Sequence, residues 1–181
     1  MRSDGVSFET ALKEAQAKGY AEPNPESDIS GKDTCRKICI LAAMAFGRLV
    51  DPDKVPVRGI ENVTLDDVAK AGKQGGTLKL IGRAEKLPDG QIGISVEPVI
   101  IGRDNLLSDV NDVFNGIVVR GNAVGEVLFY GRGAGKLPTA SAVIADVIDA
   151  AKHFHARKRI YFEDGRNDTI AELPKWNDGT L

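Results

Sequence analysis

Lys37 closes an acid-rich stretch, AEPNPESDISGKDTCRK (residues 21–37), and opens the chain's most apolar run, ICILAAMAF. Asp33 precedes it by four residues, acid first, the favourable order for an ion pair on a helix. Glu22 and Asp28 add carboxylates just upstream. Desolvation lowers a lysine's pKa and neighbouring acids raise it. A lysine so balanced can carry a proton in general acid–base chemistry, and acids facing a cleft suit a substrate ammonium group. A simpler local explanation competes. Ser30 and Asp33 have the spacing of a helix N-cap and its N3 partner, and Asp33–Lys37 then makes a weak surface pair. Against this, the stripe carrying Asp33 and Lys37 continues through Ile40, Leu41 and Met44. A stripe that turns apolar puts the pair at the rim of a cleft or interface.

GRGAGKLPTASAV, residues 131–143, is the second candidate. Its glycines lead into a helix N-terminus, where free backbone N–H groups face an anion or a polar ring. Tyr130 stands where the first glycine of a phosphate loop belongs and Leu137 follows the lysine, so GxxxxGK[ST] is not matched; neither is GxGxxG. A strand-to-helix turn needing positive φ explains the glycines equally well. Cys35 and Cys39 share a helix face and read as small core residues in a reduced setting. The two histidines, His153 and His155, lie far along the chain, so no metal site is expected.

The elements that must position these groups follow from periodicity and punctuation. Ser7 opens a short helix that ends at Gly19. Residues 19–31 form an acidic loop. A helix from about Lys32 to Phe46 stops at Gly47 and, being apolar nearly all round, should be largely buried. VPVRGIENVT is a connector with room for a short strand. Thr64 and Asp67 fit a capping box over LDDVAKAGKQ. TLKLIGRAEKL and QIGISVEPVII flank Pro88-Asp-Gly90, and GIVVRGN and EVLFYG flank a turn at Asn122 to Gly125, giving a meander of at least four strands. Pro138 suits the first turn of a last helix, and Ala142, Ile144, Val147, Ile148 and Ala151 give it a face to bury. Residues 1–156 are expected as one domain and 157–181 as a tail or linker. No strand–GxGxxG–helix unit occurs in the 181 residues.

Composition sets wider limits. Hydrophobic residues are 42% and charged residues 28%, an ordinary globular balance. A net charge of −2 points to no nucleic-acid partner, and the basic HARKRIY reads as a solvated helix end. MRSDGVSFET has no apolar leader core, and ICILAAMAF is about half a membrane span. A cytoplasmic protein with no membrane partner is expected.

GYAEPNPESDISGKDTCRKICILA resembles the homoserine dehydrogenase segment G-[YF]-x-E-x-[DN]-P-x-x-D-x-x-G-x-D-x-x-[RH]-K. The match falls on Gly19, Glu22, Pro25, Asp28, Gly31, Asp33, Arg36 and Lys37. DVFNGIVVRGNAVGEVLFYGRGAGKLPTASAVIADVID is similar to a second family segment ending in Y-G-x-G-A-G-x-x-P-T-A-S-A-V. The resemblance implies an α+β fold: a mixed, partly antiparallel sheet with helices on one face. It implies reversible reduction of L-aspartate 4-semialdehyde to L-homoserine with NADP or NAD, and a homodimer joined through its sheet. Lys37 is then the catalytic proton donor. Tyr20, Glu22, Asp28 and Asp33 line the substrate, and Gly19 with Gly133, Ala134 and Gly135 lies against the cofactor. Family members also have an N-terminal dinucleotide-binding domain with monovalent-cation ligands, which this reading expects to lie outside the chain, leaving it inactive alone. Departures are Glu97 where a histidine is frequent, Asp109 where the pattern has serine, and Asn24 where aspartate is common. A non-catalytic amino-acid-binding or dimerisation module, and the dehydrogenase part of a fused kinase–dehydrogenase, are the competing readings.

Overall fold

The computed structural model describes residues 5–19, 21, 23–133, 135–155 and 161–176. The order is α1 (Phe8–Ala17), α2 (Glu26–Ile29), α3 (Lys32–Phe46), β1 (Arg48–Leu49), a 3-10 turn (Pro52–Lys54), α4 (Leu65–Lys73), β2 (Gly76–Lys86), β3 (Ile92–Gly102), β4 (Phe114–Gly121), β5 (Gly125–Arg132), α5 (Lys136–Lys152) and β6 (Glu163–Asp164). The fold class is α+β. Among these residues the strands form three two-stranded sheets: antiparallel β2–β3 and β4–β5, and parallel β1–β6. The four-stranded meander read from the sequence is thus two separate hairpins. Loop 103–113 carries the chain from one to the other. Lys79 of β2 ties that loop down, donating to the Val110 carbonyl and, at 3.0 Å, to Asn111 Oδ1.

The core lies where α3 crosses one face of β2–β3. Cys35, Cys39 and Ala42 meet Ile92, Ile94 and Val96, all buried. Gly82 lets the helix approach: a Cβ there would stand 3.1 Å from Thr34 Cγ2 and 3.2 Å from Ile38 Cβ. Burying apolar side chains here supplies the main stabilising term. α4 also packs on β2. Its capping box is formed, with Thr64 Oγ1 accepting from the Asp67 N–H at 3.2 Å and Asp67 Oδ2 from the Thr64 N–H at 3.0 Å.

Three local expectations are corrected. The cap of α3 is Gly31, at φ 79°, and not Ser30; the Ser30 hydroxyl is buried with no hydrogen-bond partner. Ser30 instead ends α2, a one-turn helix inside the loop, and α3 runs from Lys32 to Phe46 as read. α3 is not buried all round: Ile40 is 61% and Met44 69% exposed. α5 forms as read, with Pro138 in its first turn, but none of its residues is buried.

The stretch read as tail or linker lies along the body over residues 161–176. Arg48 pairs with Glu163 at 2.7 Å and Asp168 at 2.6 Å. Lys54 donates to the Arg166 carbonyl at 2.7 Å, and the Ala171 N–H to the Ile92 carbonyl at 3.0 Å. Arg83 reaches the Pro174 carbonyl at 3.0 Å. Among the described residues no helix is long and apolar enough to cross a membrane.

Candidate active site

The acids and the lysine gather where α2 passes into α3. Pro25 opens α2, and Asn24 Oδ1 accepts from the Glu26 N–H at 3.3 Å, so the loop coils before the glycine. Gly31 in the left-handed region then turns the chain, and α3 starts within two residues. Only glycine adopts that conformation freely. Asp28 projects from the end of α2 and is exposed. Asp33 sits in the first turn of α3, where the helix dipole favours a carboxylate. One turn on, Lys37 Nζ lies 2.7 Å from Asp33 Oδ2, with the two side chains 66% and 38% exposed. Glu26 meets Lys32 at 3.6 Å. Ile40 and Met44 extend the same stripe, apolar and uncovered. The stripe thus passes from a charged pair to exposed apolar side chains.

Tyr20, Glu22 and Ala134 fall outside the described residues. Gly19 has φ 72° and, among the described residues, no atom near where a side chain would start. Gly133 and Gly135 stand at the end of the β4–β5 hairpin, where the chain enters α5. Their reasons for being glycine differ. Gly135 has φ 114°. Gly133 does not need positive φ; a Cβ there would fall 1.5 Å from Asn115 Nδ2. Among the described residues no side chain caps α5, leaving its first N–H groups available. Among the described residues no extensive contact joins α3 to this hairpin or to α5.

The sequence marks residues 57–61 as a connector with room for a short strand and gives them no part in the site. Arg58 pairs with Glu97 at 3.0 Å, which gives Glu97 a local role. Gly59 runs against the α2–α3 turn so closely that a Cβ would lie 2.2 Å from the Ile29 carbonyl oxygen. The nearest signal was the Gly-Ile pair within VPVRGIENVT. An apolar groove of about 700 Å³, between Phe8, α4 and β2, is walled by Val63, Val68, Leu78 and Pro98 and includes none of the candidate acids. Its lining offers no proton-transfer group beside an acid, unlike the α2–α3 turn.

An α+β domain that sets carboxylates and a lysine at a helix start is equipped to handle an amino acid. Comparison with known proteins narrows this. The homoserine dehydrogenase family model matches residues 1–148, and the chain belongs to that family. It is 46% identical over 152 residues to the homoserine dehydrogenase of Helicobacter pylori, covering 84% of this chain and 36% of the relative. With the Bacillus subtilis enzyme it shares 44% identity over 147 residues, 81% of this chain and 34% of the relative. The chain therefore spans about a third of the length of such relatives. Among solved structures, a homoserine dehydrogenase from Thiobacillus denitrificans superposes with a TM-score of 0.82 at 38% identity, over 96% of this chain and 41% of its own. A hyperthermophilic archaeal homoserine dehydrogenase in complex with NADPH superposes at 0.66 with 32% identity, over 84% of this chain and 42% of its own.

Proposed function

We propose that this chain is the substrate-binding part of a cytoplasmic homoserine dehydrogenase, reducing L-aspartate 4-semialdehyde reversibly to L-homoserine on the route to threonine and methionine. Residues 1–156 carry the substrate site and the dimer surface, with 157–181 as the connecting tail. The observation that supports it most is the Asp33–Lys37 pair at the open start of α3, beside Asp28.

Bound NADPH or NADH supplies the hydride, and the proposal assigns most of its binding to parts of the enzyme outside the 181 residues. What this chain offers it fits the role: a glycine turn at 133 and 135, and an α5 N-terminus that no described side chain caps. As the aldehyde carbon is reduced, negative charge develops on its oxygen. The Lys37 ammonium stabilises that charge and delivers the proton. Asp33, 2.7 Å away, holds the ammonium in place. Asp28, Glu22 and Asp33 receive the substrate's own α-ammonium, and Tyr20 is assigned to the same substrate site. Gly19, Gly133, Ala134 and Gly135 let the cofactor approach the backbone.

Titration of the chain with L-homoserine, followed by amide chemical shifts, tests this directly. Weak saturable binding centred on residues 28–37 is expected, and Asp33→Ala should weaken it by about tenfold, the loss of one charge-assisted contact. Binding that is unchanged in Asp33→Ala would overturn the assignment.

A further inference from the structure

The acidic turn is closed by its own backbone bonds, Ser30 N–H to the Glu26 carbonyl at 2.9 Å and Gly31 N–H to the Asp28 carbonyl at 3.4 Å, and these bonds do not reach the sheet. Ser30 does not cap α3, its hydroxyl is unpartnered, and Asp28 is exposed. What holds the turn to the sheet comes from residues 56–61. The Arg58 N–H donates to the Val96 carbonyl at 2.8 Å and the Val96 N–H to the Pro56 carbonyl at 3.0 Å, so this segment makes a parallel bridge to β3 at Val57–Val96. Its other side grips the turn. The Ile60 N–H donates to the Ile29 carbonyl at 2.7 Å. Val57 and Val96 pack where a Cβ of Gly31 would be, at 3.1 and 3.3 Å.

Gly59 lies in the middle of this grip. A Cβ at 59 would stand 2.2 Å from the Ile29 carbonyl oxygen, 2.6 Å from Ser30 Cα and 2.2 Å from Glu61 Oε2. Its φ is not in the left-handed region, so proximity alone requires glycine here. Two of the three neighbours are backbone and cannot swing aside, whereas the Glu61 carboxylate can.

We propose that Gly59 is a positioning residue for the amino-acid site: its missing side chain lets residues 57–60 clamp the Ile29–Gly31 turn to the β3 edge and so fixes where Asp28, Asp33 and Lys37 stand. This rests on the reading of that turn as the homoserine site. Gly59 touches no substrate. It acts through the backbone of Ile29 and Ser30, and a displacement of about 1 Å at a binding constellation is enough to cost ten- to a hundredfold.

The test uses the full chain and two readouts. In Gly59→Ala, amide hydrogen exchange at residues 29–33 and at Ile60 should quicken by about tenfold or more, while β2–β3 keeps its protection. L-homoserine affinity should fall by about tenfold in the same variant. Gly59→Ala/Glu61→Ala should remain impaired, because the Ile29 carbonyl is still in the way. Gly72→Ala, with open space at its Cβ, should match the parent. If Gly59→Ala does not fold, Val57→Ala loosens the clamp by removing a contact instead of adding a clash, and should show the same pattern more weakly. Parent-like exchange at 29–33 in either variant, or rescue by Glu61→Ala, would overturn the proposal. If the parent chain binds no homoserine, the functional reading fails while the exchange result still decides the clamp.

Discussion

Lys37 and Asp33 form the kind of exposed i, i+4 pair that contributes little to stability. That makes the pair informative: its removal should cost activity and not fold. In an active enzyme containing this chain, Lys37→Ala is expected to lower kcat by at least ~10²-fold, the usual scale for a lost acid–base group. The thermal midpoint should stay close to the parent's. Steady-state rates and a melting curve on the same preparation check both halves, and near-normal turnover would remove Lys37 from the chemistry. The two cysteines show the opposite environment on the same helix. Burial, reinforced by Cys35 beside it, pushes the Cys39 thiol up to about 12, and burial also raises Cys35. A raised thiol pKa means the folded state keeps protons that the unfolded chain gives up, so this contribution is lost as pH climbs above the ordinary value of 9.0. Thiolate is the reactive form. Iodoacetamide at pH 8 should therefore leave both thiols unmodified in the native chain and label both in denaturant, as read by intact mass. Rapid native labelling would mean that the α3–β3 contact is not closed.

At the scale of elements, local signals gave the helices their limits. Ser7, Thr64 and the glycines at 47 and 90 do in the structure what their types imply. The α4 box is the clearest case. Thr64→Ala should cost about 1 kcal/mol of unfolding free energy, measurable by urea titration. The hydrogen bonds from Thr64 hold the Asp67 carboxyl below its usual range. Its contribution is thus present above the ordinary carboxylate pKa and lost as pH falls through the lowered one. The Thr64→Ala deficit should accordingly shrink in acid; a deficit constant down to low pH would assign it to helix propensity alone. α5 is a different case. Its sequence is a good helix and its face is apolar, yet Val143, Val147 and Ile148 meet solvent. Periodicity says that a face wants burial and not what buries it.

At the scale of the molecule, exposed apolar side chains concentrate on two elements. Ile117, Val119, Phe129 and Tyr130 lie on the β4–β5 hairpin, and Leu137, Ile144 and Val147 on α5. A lone two-stranded hairpin is marginal in water, and apolar patches of this kind mark interaction surfaces. A second copy of the chain is the proposed partner for the hairpin. Sedimentation velocity should show a dimer, and Phe129→Glu should shift it to monomer. A parent chain that stays monomeric at its highest soluble concentration would count against the sheet-mediated dimer.

The sequence alone determined the limits of the longer helices, both hairpin turns, the Thr64 box and the spacing of Asp33 with Lys37, because each depends on residues a few positions apart. It also carried the family resemblance, since Gly19, Gly31, Asp33 and Lys37 are side-chain choices written in order. Only the tertiary structure decided the rest. It separated the β2–β3 and β4–β5 hairpins, left α5 bare, laid residues 161–176 along the body, and gave Gly133 and Gly59 their reasons. Those reasons are close approaches between segments distant in sequence, Asn115 to Gly133 and Ile29 to Gly59. Such contacts are set by how distant segments meet in space; at Gly59 the neighbours are backbone, so an added carbon finds no room.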